Sequence, residues 1–197
     1  MGADAYHERE MPIEEFLGRE CDENQRWELV DGRPVVMKPP TQAHGTLVAN
    51  LASWIGPALR KMEPCRLITE AGIVPVERPN TYFLADLVVS CQPHFAGAQA
   101  VEDPIIVVEV LPPFTEGQDR WNKLANYRRI PSVCEILLVD QTRRYCELLR
   151  RFDETRWLSE LYIGAEATFR LDSIELELSL EDVYAKVDVA PDSLCED

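Results

Sequence analysis

The sequence predicts a mixed α/β (α+β) domain, with a sheet at its centre and helices flanking it. Three observations carry this. The run Ile105-Ile106-Val107-Val108, leading into Glu109 and Val110, is continuous and β-branched, as in strands buried on both faces. Tyr82 to Val89 is a second apolar strand, interrupted by the single acid Asp86. Between residues 41 and 62, Leu47, Leu51, Trp54, Ile55, Ala58 and Leu59 recur at helical spacing and define a helix with one apolar stripe.

Taken in order, residues 1–10 are polar and read as a loose N-terminal extension, and 11–187 as one domain. Residues 188–197 read as a polar, frayed tail. Met11 to Leu17 suits a short helix burying Ile13, Phe16 and Leu17. Trp27-Glu28-Leu29-Val30 and Arg33 to Met37 flank an Asp31-Gly32 turn, which is a hairpin signal. Pro39-Pro40 precede Thr41, which caps the long helix, and Pro64 ends it. His44 falls at the start of that helix's buried face. Arg66 to Val76 reads as a strand with a break at Gly72.

After the central strand, Pro112-Pro113 stop the extended run and Thr115-Glu116-Gly117-Gln118 has capping-box spacing. The next helix places Asp119, Lys123 and Tyr127 on one face at intervals of four. Glu135 to Asp140 is another buried strand. Arg144 to Phe152, Trp157 to Ile163 and Ala167 to Leu171 are expected as antiparallel strands on the outer part of the sheet. Ile174 to Leu178 alternates as a half-exposed strand, and Leu180 to Val187 suits a closing helix.

With 197 residues, 46% hydrophobic, the chain is long enough for one sizeable core. The net charge of -15 argues against broad, sequence-independent binding to nucleic acid through a basic surface. It leaves room for a nuclease, whose acids gather round a metal. The 6 cysteines show no C-x-x-C, and with 3 histidines in all they do not make a structural zinc site. Cys134 and Cys146 read as small core residues. No signal peptide opens the chain and no apolar run spans a bilayer, so a cytoplasmic protein with free thiols and no membrane partner is expected.

The chemistry concentrates on isolated charges in apolar surroundings. Asp86 and Glu109 are each the lone acid of a buried strand; if those strands are neighbours, their mutual repulsion calls for a proton or a cation. Hard oxygen donors favour Mg²⁺ or Mn²⁺, with coordination positions left for a phosphate. The plainer alternative puts each acid at a strand end beside solvent or an arginine. Lys123 can orient an attacking water, or can form a surface pair with Asp119. Glu28 can complete a metal shell or face solvent. His44 reads first as a hydrogen-bonded residue near the helix start. Tyr127 reads first as packing, with its hydroxyl at the site edge.

In sequence these residues are Trp27-Glu28-Leu29-Val30-Asp31-Gly32, Pro39-Pro40 with His44, Ala85-Asp86-Leu87-Val88-Val89, Val107-Val108-Glu109-Val110-Leu111, and Asp119, Lys123 and Tyr127 before a Glu-Ile-Leu-Leu-Val-Asp strand. This order resembles the Uma-two family of restriction-endonuclease-type proteins, over roughly residues 11–185. The resemblance implies a restriction-endonuclease-like core of the PD-(D/E)XK superfamily, a mixed central sheet flanked by helices. It also implies that Asp86 and Glu109 are catalytic, metal-binding acids. The lysine usual two positions after the second acid is Leu111 here, and the resemblance moves its role to Lys123 on the following helix. Glu28 corresponds to the family's early acid and His44 to its early histidine, with Tyr127 as an accessory. Ala85 stands where a proline is usual and Pro112 where a serine is. The expected activity is Mg²⁺- or Mn²⁺-dependent cleavage of phosphodiesters in DNA by a homodimer. The alternative is an inactive binding or assembly module on the same scaffold.

Overall fold

A computed structural model describes residues 10–19, 25–93, 95–111 and 117–190. The expected N-terminal extension lies outside them except for Glu10, as do the residues of the tail beyond Ala190 and the first two positions of the capping box, Thr115 and Glu116.

The centre is a six-stranded sheet in the order β3-β4-β5-β6-β7-β8. Its strands are β3 (Arg66–Ile73), β4 (Phe83–Ser90), β5 (Pro104–Leu111), β6 (Glu135–Asp140), β7 (Tyr145–Arg151) and β8 (Trp157–Ile163). Only the β5–β6 pair is parallel, so the sheet is mixed. A parallel neighbour needs a crossover, and α3 (Gly117–Tyr127) makes it. On one face lies α2 (Gln42–Leu59), whose Leu47, Leu51, Ile55 and Leu59 pack on Leu87, Val89, Ile106 and Val108. Each such side chain taken out of water contributes roughly 1.5–3 kcal/mol. On the other face Leu124 and Tyr127 of α3 pack with Phe83, Val88, Val107 and Ile136. Both faces are covered, which is why β5 and β6 tolerate unbroken apolar sequence.

The hairpin of β1 (Trp27–Val30) and β2 (Arg33–Val36) turns through Asp31 and Gly32, both at positive φ. It docks on the start of β4 through paired bonds between Leu29 and Tyr82. Below it α1 (Ile13–Leu17) buries Phe16 against Tyr82, with Ile13 and Leu17 partly buried beside them. No helix among the described residues is long and apolar enough to cross a membrane.

Several expectations are corrected. The segment 168–171 does not extend the main sheet. It pairs as β9 (Thr168–Leu171) with β10 (Leu176–Ser179) in a separate hairpin, whose Phe169, Leu171 and Leu178 are buried in the core shared with α2. Ile174 belongs to a 3-10 turn, and the closing helix is the single turn α4 (Leu180–Val183). Gly72 does not break β3; the irregularity is Glu70, at φ 49. Trp54 is 42% exposed, since the buried row of α2 drifts away from its edge of the stripe. Cys134 is exposed rather than core. The thiols are not all free, because Cys65 and Cys91 form a disulfide. They stand one step beyond the Arg66↔Ser90 rung of the β3–β4 ladder, a juxtaposition that linear spacing hides.

Candidate active site

The site is a fork between two strands. The antiparallel β4–β5 ladder runs from Ser90↔Pro104 to Leu87↔Val108 and ends there. Counting one further step puts Asp86 opposite Glu109. Past that point the β4 edge is taken up by β1, through Leu29 and Tyr82. Between the two, the backbone of Leu84 faces the fork and needs partners in place of a strand. Glu28 and Lys123 supply them. The Leu84 amide donates to Glu28 Oε1 at 2.9 Å, and Lys123 Nζ donates to the Leu84 carbonyl at 3.2 Å.

Four of the residues singled out above therefore converge. Lys123 Nζ lies 2.7 Å from Glu28 Oε1 and 3.6 Å from Glu109 Oε1. All three side chains are nearly buried, with Glu28 3%, Glu109 6% and Lys123 9% exposed. Position 111 is Leu111, and it is Lys123 on the following helix that comes within reach of Glu109. Tyr127, one helical turn beyond Lys123, donates its hydroxyl to Glu109 Oε1 at 2.7 Å. Its ring packs edge-on against Phe83.

Asp86 is held from the opposite layer. Its Oδ2 accepts the Val110 amide at 2.7 Å, and its Oδ1 lies 3.1 Å from His44 Nε2. His44 reaches it because Thr41 caps α2, accepting from the His44 amide at 3.1 Å, and Thr41 in turn donates to Gln141 at 2.6 Å. The Asp119 side chain lies outside the described residues, so the Asp119–Lys123 pair is not described. Lys123 points inward to the two glutamates.

The field inside the fork is short of positive charge. Burial first, then the charges of Asp86 and Glu28, push the Glu109 carboxyl up to about 7, although Lys123 and the Tyr127 hydroxyl act the other way. His44 is raised above its ordinary value, chiefly by its hydrogen bond to Asp86 and against the effect of burial. The Tyr127 hydroxyl is pushed up by burial and by Glu109. A carboxyl raised by desolvation and like charge makes the fork a candidate functional site.

Sequence reading missed the parts that backbone geometry supplies: the Val110 amide, the Leu84 amide and carbonyl, and the Thr41–Gln141 tie. It also passed over Arg26, which stands two residues before Glu28 and therefore leaves the strand on the same side.

A mixed α+β sheet with this helix arrangement is shared with a solved structure. It is described as "a putative nuclease belonging to DUF820" from Anabaena variabilis, with a TM-score of 0.71 and 17% identity, covering 88% of this chain and 97% of the other. The chain itself belongs to the Uma2 family, described as "Putative restriction endonuclease", whose pattern matches residues 13–184. Two relatives from Synechocystis sp., both described as uncharacterized, agree with it along most of their length. One is 27% identical over 172 residues, covering 87% of this chain and 90% of the relative. The other is 23% identical over 164 residues, covering 82% and 93%.

Proposed function

We propose that this protein is a divalent-metal-dependent endonuclease that hydrolyses phosphodiester bonds in DNA. The observation that carries the reading is the β4–β5 fork, where Asp86 and Glu109 occupy one register and Lys123 lies 3.6 Å from Glu109.

The donor set fits a hard cation. Among the described residues no group of three or more His, Cys, Asp or Glu converges on a metal position. Mg²⁺ needs no such group, because it is commonly held by one or two carboxylates, with water and phosphate oxygens completing its shell. Tyr127 and Lys123 gather on Oε1 of Glu109, and Oε2 takes no hydrogen bond from the described residues. The elevated Glu109 pKa marks a place where a cation would relieve repulsion. Asp86 and Glu109 would hold Mg²⁺ or Mn²⁺, which would polarise the scissile phosphate and acidify a bound water. The remaining work falls to the protein. Lys123 stabilises charge developing at phosphorus and orients the attacking water. Glu28 fixes the direction of Lys123, Tyr127 fixes Glu109, and His44 with the Val110 amide fixes Asp86. Hydrolysis adds that water across one P–O bond, so no further reactant is needed. The working form is proposed to be a homodimer, since cutting both strands suits a symmetric pair, and light scattering of the purified protein tests this.

Asp86→Ala and Glu109→Ala are expected to abolish cleavage of plasmid DNA while the circular dichroism spectrum is kept. Titrating Mn²⁺ or Mg²⁺ is expected to raise the melting temperature of the wild type by mass action and not that of Asp86→Ala. Equal shifts in the two proteins, with no cleavage, would favour the non-catalytic module.

A further inference from the structure

We propose that Arg26 is the contact for a DNA phosphate adjoining the scissile one, and that Glu70 is the carboxylate which this phosphate displaces. The inference rests on the nuclease reading above.

Arg26 and Glu28 are two apart on an extended chain, so both side chains leave it on the same side. Glu28 turns into the fork to Lys123, while Arg26 stops at the rim. Its backbone is fixed by the Met37 amide, which donates to the Arg26 carbonyl at 2.8 Å. Its guanidinium Nη1 donates to Glu70 Oε1 at 2.8 Å, and the Glu70 side chain is 62% exposed. Glu70 flanks Asp86, because the β3–β4 ladder passes from Thr69↔Leu87 to Ala71↔Ala85 on either side of them. At φ 49, Glu70 occupies a backbone region that side-chain-bearing residues seldom adopt, and this local irregularity is where its carboxylate meets Arg26.

Two arginines near the site differ in how many partners hold them. Arg78 is bonded by both Asp31 oxygens and by Asn122, tying the hairpin turn to α3. Among the described residues the Arg26 side chain bonds only to Glu70, whose own side chain is mostly exposed, so that a competing anion can reach the guanidinium from the Glu70 side. A phosphodiester offers two non-bridging oxygens that match the guanidinium fork, so it can replace a carboxylate there. On a chain of net charge -15 a cation at the mouth of the site has a large share in drawing the duplex in.

The test is fluorescence anisotropy with a labelled DNA duplex over a series of KCl concentrations. Ca²⁺ replaces Mg²⁺, and the DNA is checked intact on a gel. Arg26→Gln is expected to bind roughly tenfold more weakly, with a log–log salt slope smaller by about 1. Arg26→Lys is expected to keep the slope while losing part of the affinity, and Glu70→Gln to bind more tightly than wild type. Melting curves verify that each variant folds. An unchanged slope in Arg26→Gln, or wild-type affinity in Glu70→Gln, overturns the contact while leaving the nuclease reading intact. A wild type that binds no duplex at any salt concentration overturns both.

Discussion

Glu109 shows how a single carboxyl becomes chemically distinct. Its side chain lies between the sheet and α3, and burial moves it from an ordinary 4.5 to about 7. The sign of the linked stability follows. Between those values the folded state binds the proton more tightly than the unfolded state, so stability falls as pH rises from about 4.5 to about 7, then levels off. In chelator, the wild-type melting temperature is expected to fall across that window more steeply than that of Glu109→Gln. His44, also raised, adds loss in the same direction at higher pH in both proteins, so their difference isolates Glu109.

The second prediction at this scale concerns Lys123 and Glu28, 2.7 Å apart and nearly dry. Removing one member of such a pair strands the other, at a cost of about 3–5 kcal/mol. Lys123→Met is therefore expected to be strongly destabilising, and the double variant with Glu28→Gln to recover part of the loss. Urea denaturation of the four proteins measures this, and additive losses would show the pair to be uncoupled.

At the scale of elements, the fork exists because two strands compete for one edge of β4. β5 pairs with β4 only as far as Val108, and β1 takes the edge from Tyr82 onward. The gap contains the candidate site. Gly72 holds this arrangement from behind. It pairs with Leu84 across the β3–β4 ladder, and a Cβ there would collide with the Tyr82 hydroxyl and the Gln99 carbonyl. Gly72→Ala is expected to cost about 1–3 kcal/mol in denaturant, as overpacking does. It should also weaken cleavage, because Tyr82 carries the β1 contact that aims Glu28. Wild-type stability for this variant would mean that Tyr82 shifts without strain.

At the scale of the molecule, the C-terminal part of the domain returns to close the α2 layer. Phe169, Leu178, Leu180, Val183 and Tyr184 share a core with Leu47, Leu51 and Ile55. Tyr184 fastens this segment: its hydroxyl bonds to the Asp140 carbonyl at 2.5 Å and the Tyr145 carbonyl at 2.9 Å, and lies 3.3 Å from the Tyr145 amide. Burial pushes that hydroxyl well up. Tyr184→Phe leaves buried carbonyls short of a donor and is expected to cost about 1–3 kcal/mol, read from the denaturation midpoint. Activity should survive at temperatures where the variant is folded, since the Tyr184 hydroxyl bonds to backbone of Asp140 and Tyr145 and to none of the side chains of the fork.

What the sequence determined by itself was the set of elements and the residues of consequence. β-branched runs and an i, i+4 stripe are local patterns, and a lone acid inside such a run is visible because its desolvation is costly wherever the strand goes. Asp86, Glu109 and Glu28 were legible for that reason, and Lys123 through its place on one helical face with Asp119 and Tyr127 and through the family resemblance. Only the tertiary structure decided which way each charge turns. Spacing could not show that Lys123 faces two glutamates, or that Asp86 and Glu109 are gripped from opposite layers. Nor could it show that Cys65 meets Cys91, that β9 leaves the sheet, or that Arg26 stands at the rim. Those outcomes depend on strand order, on where a ladder stops and on which backbone groups are then left without partners, and such quantities belong to the pairing of distant segments rather than to any one of them.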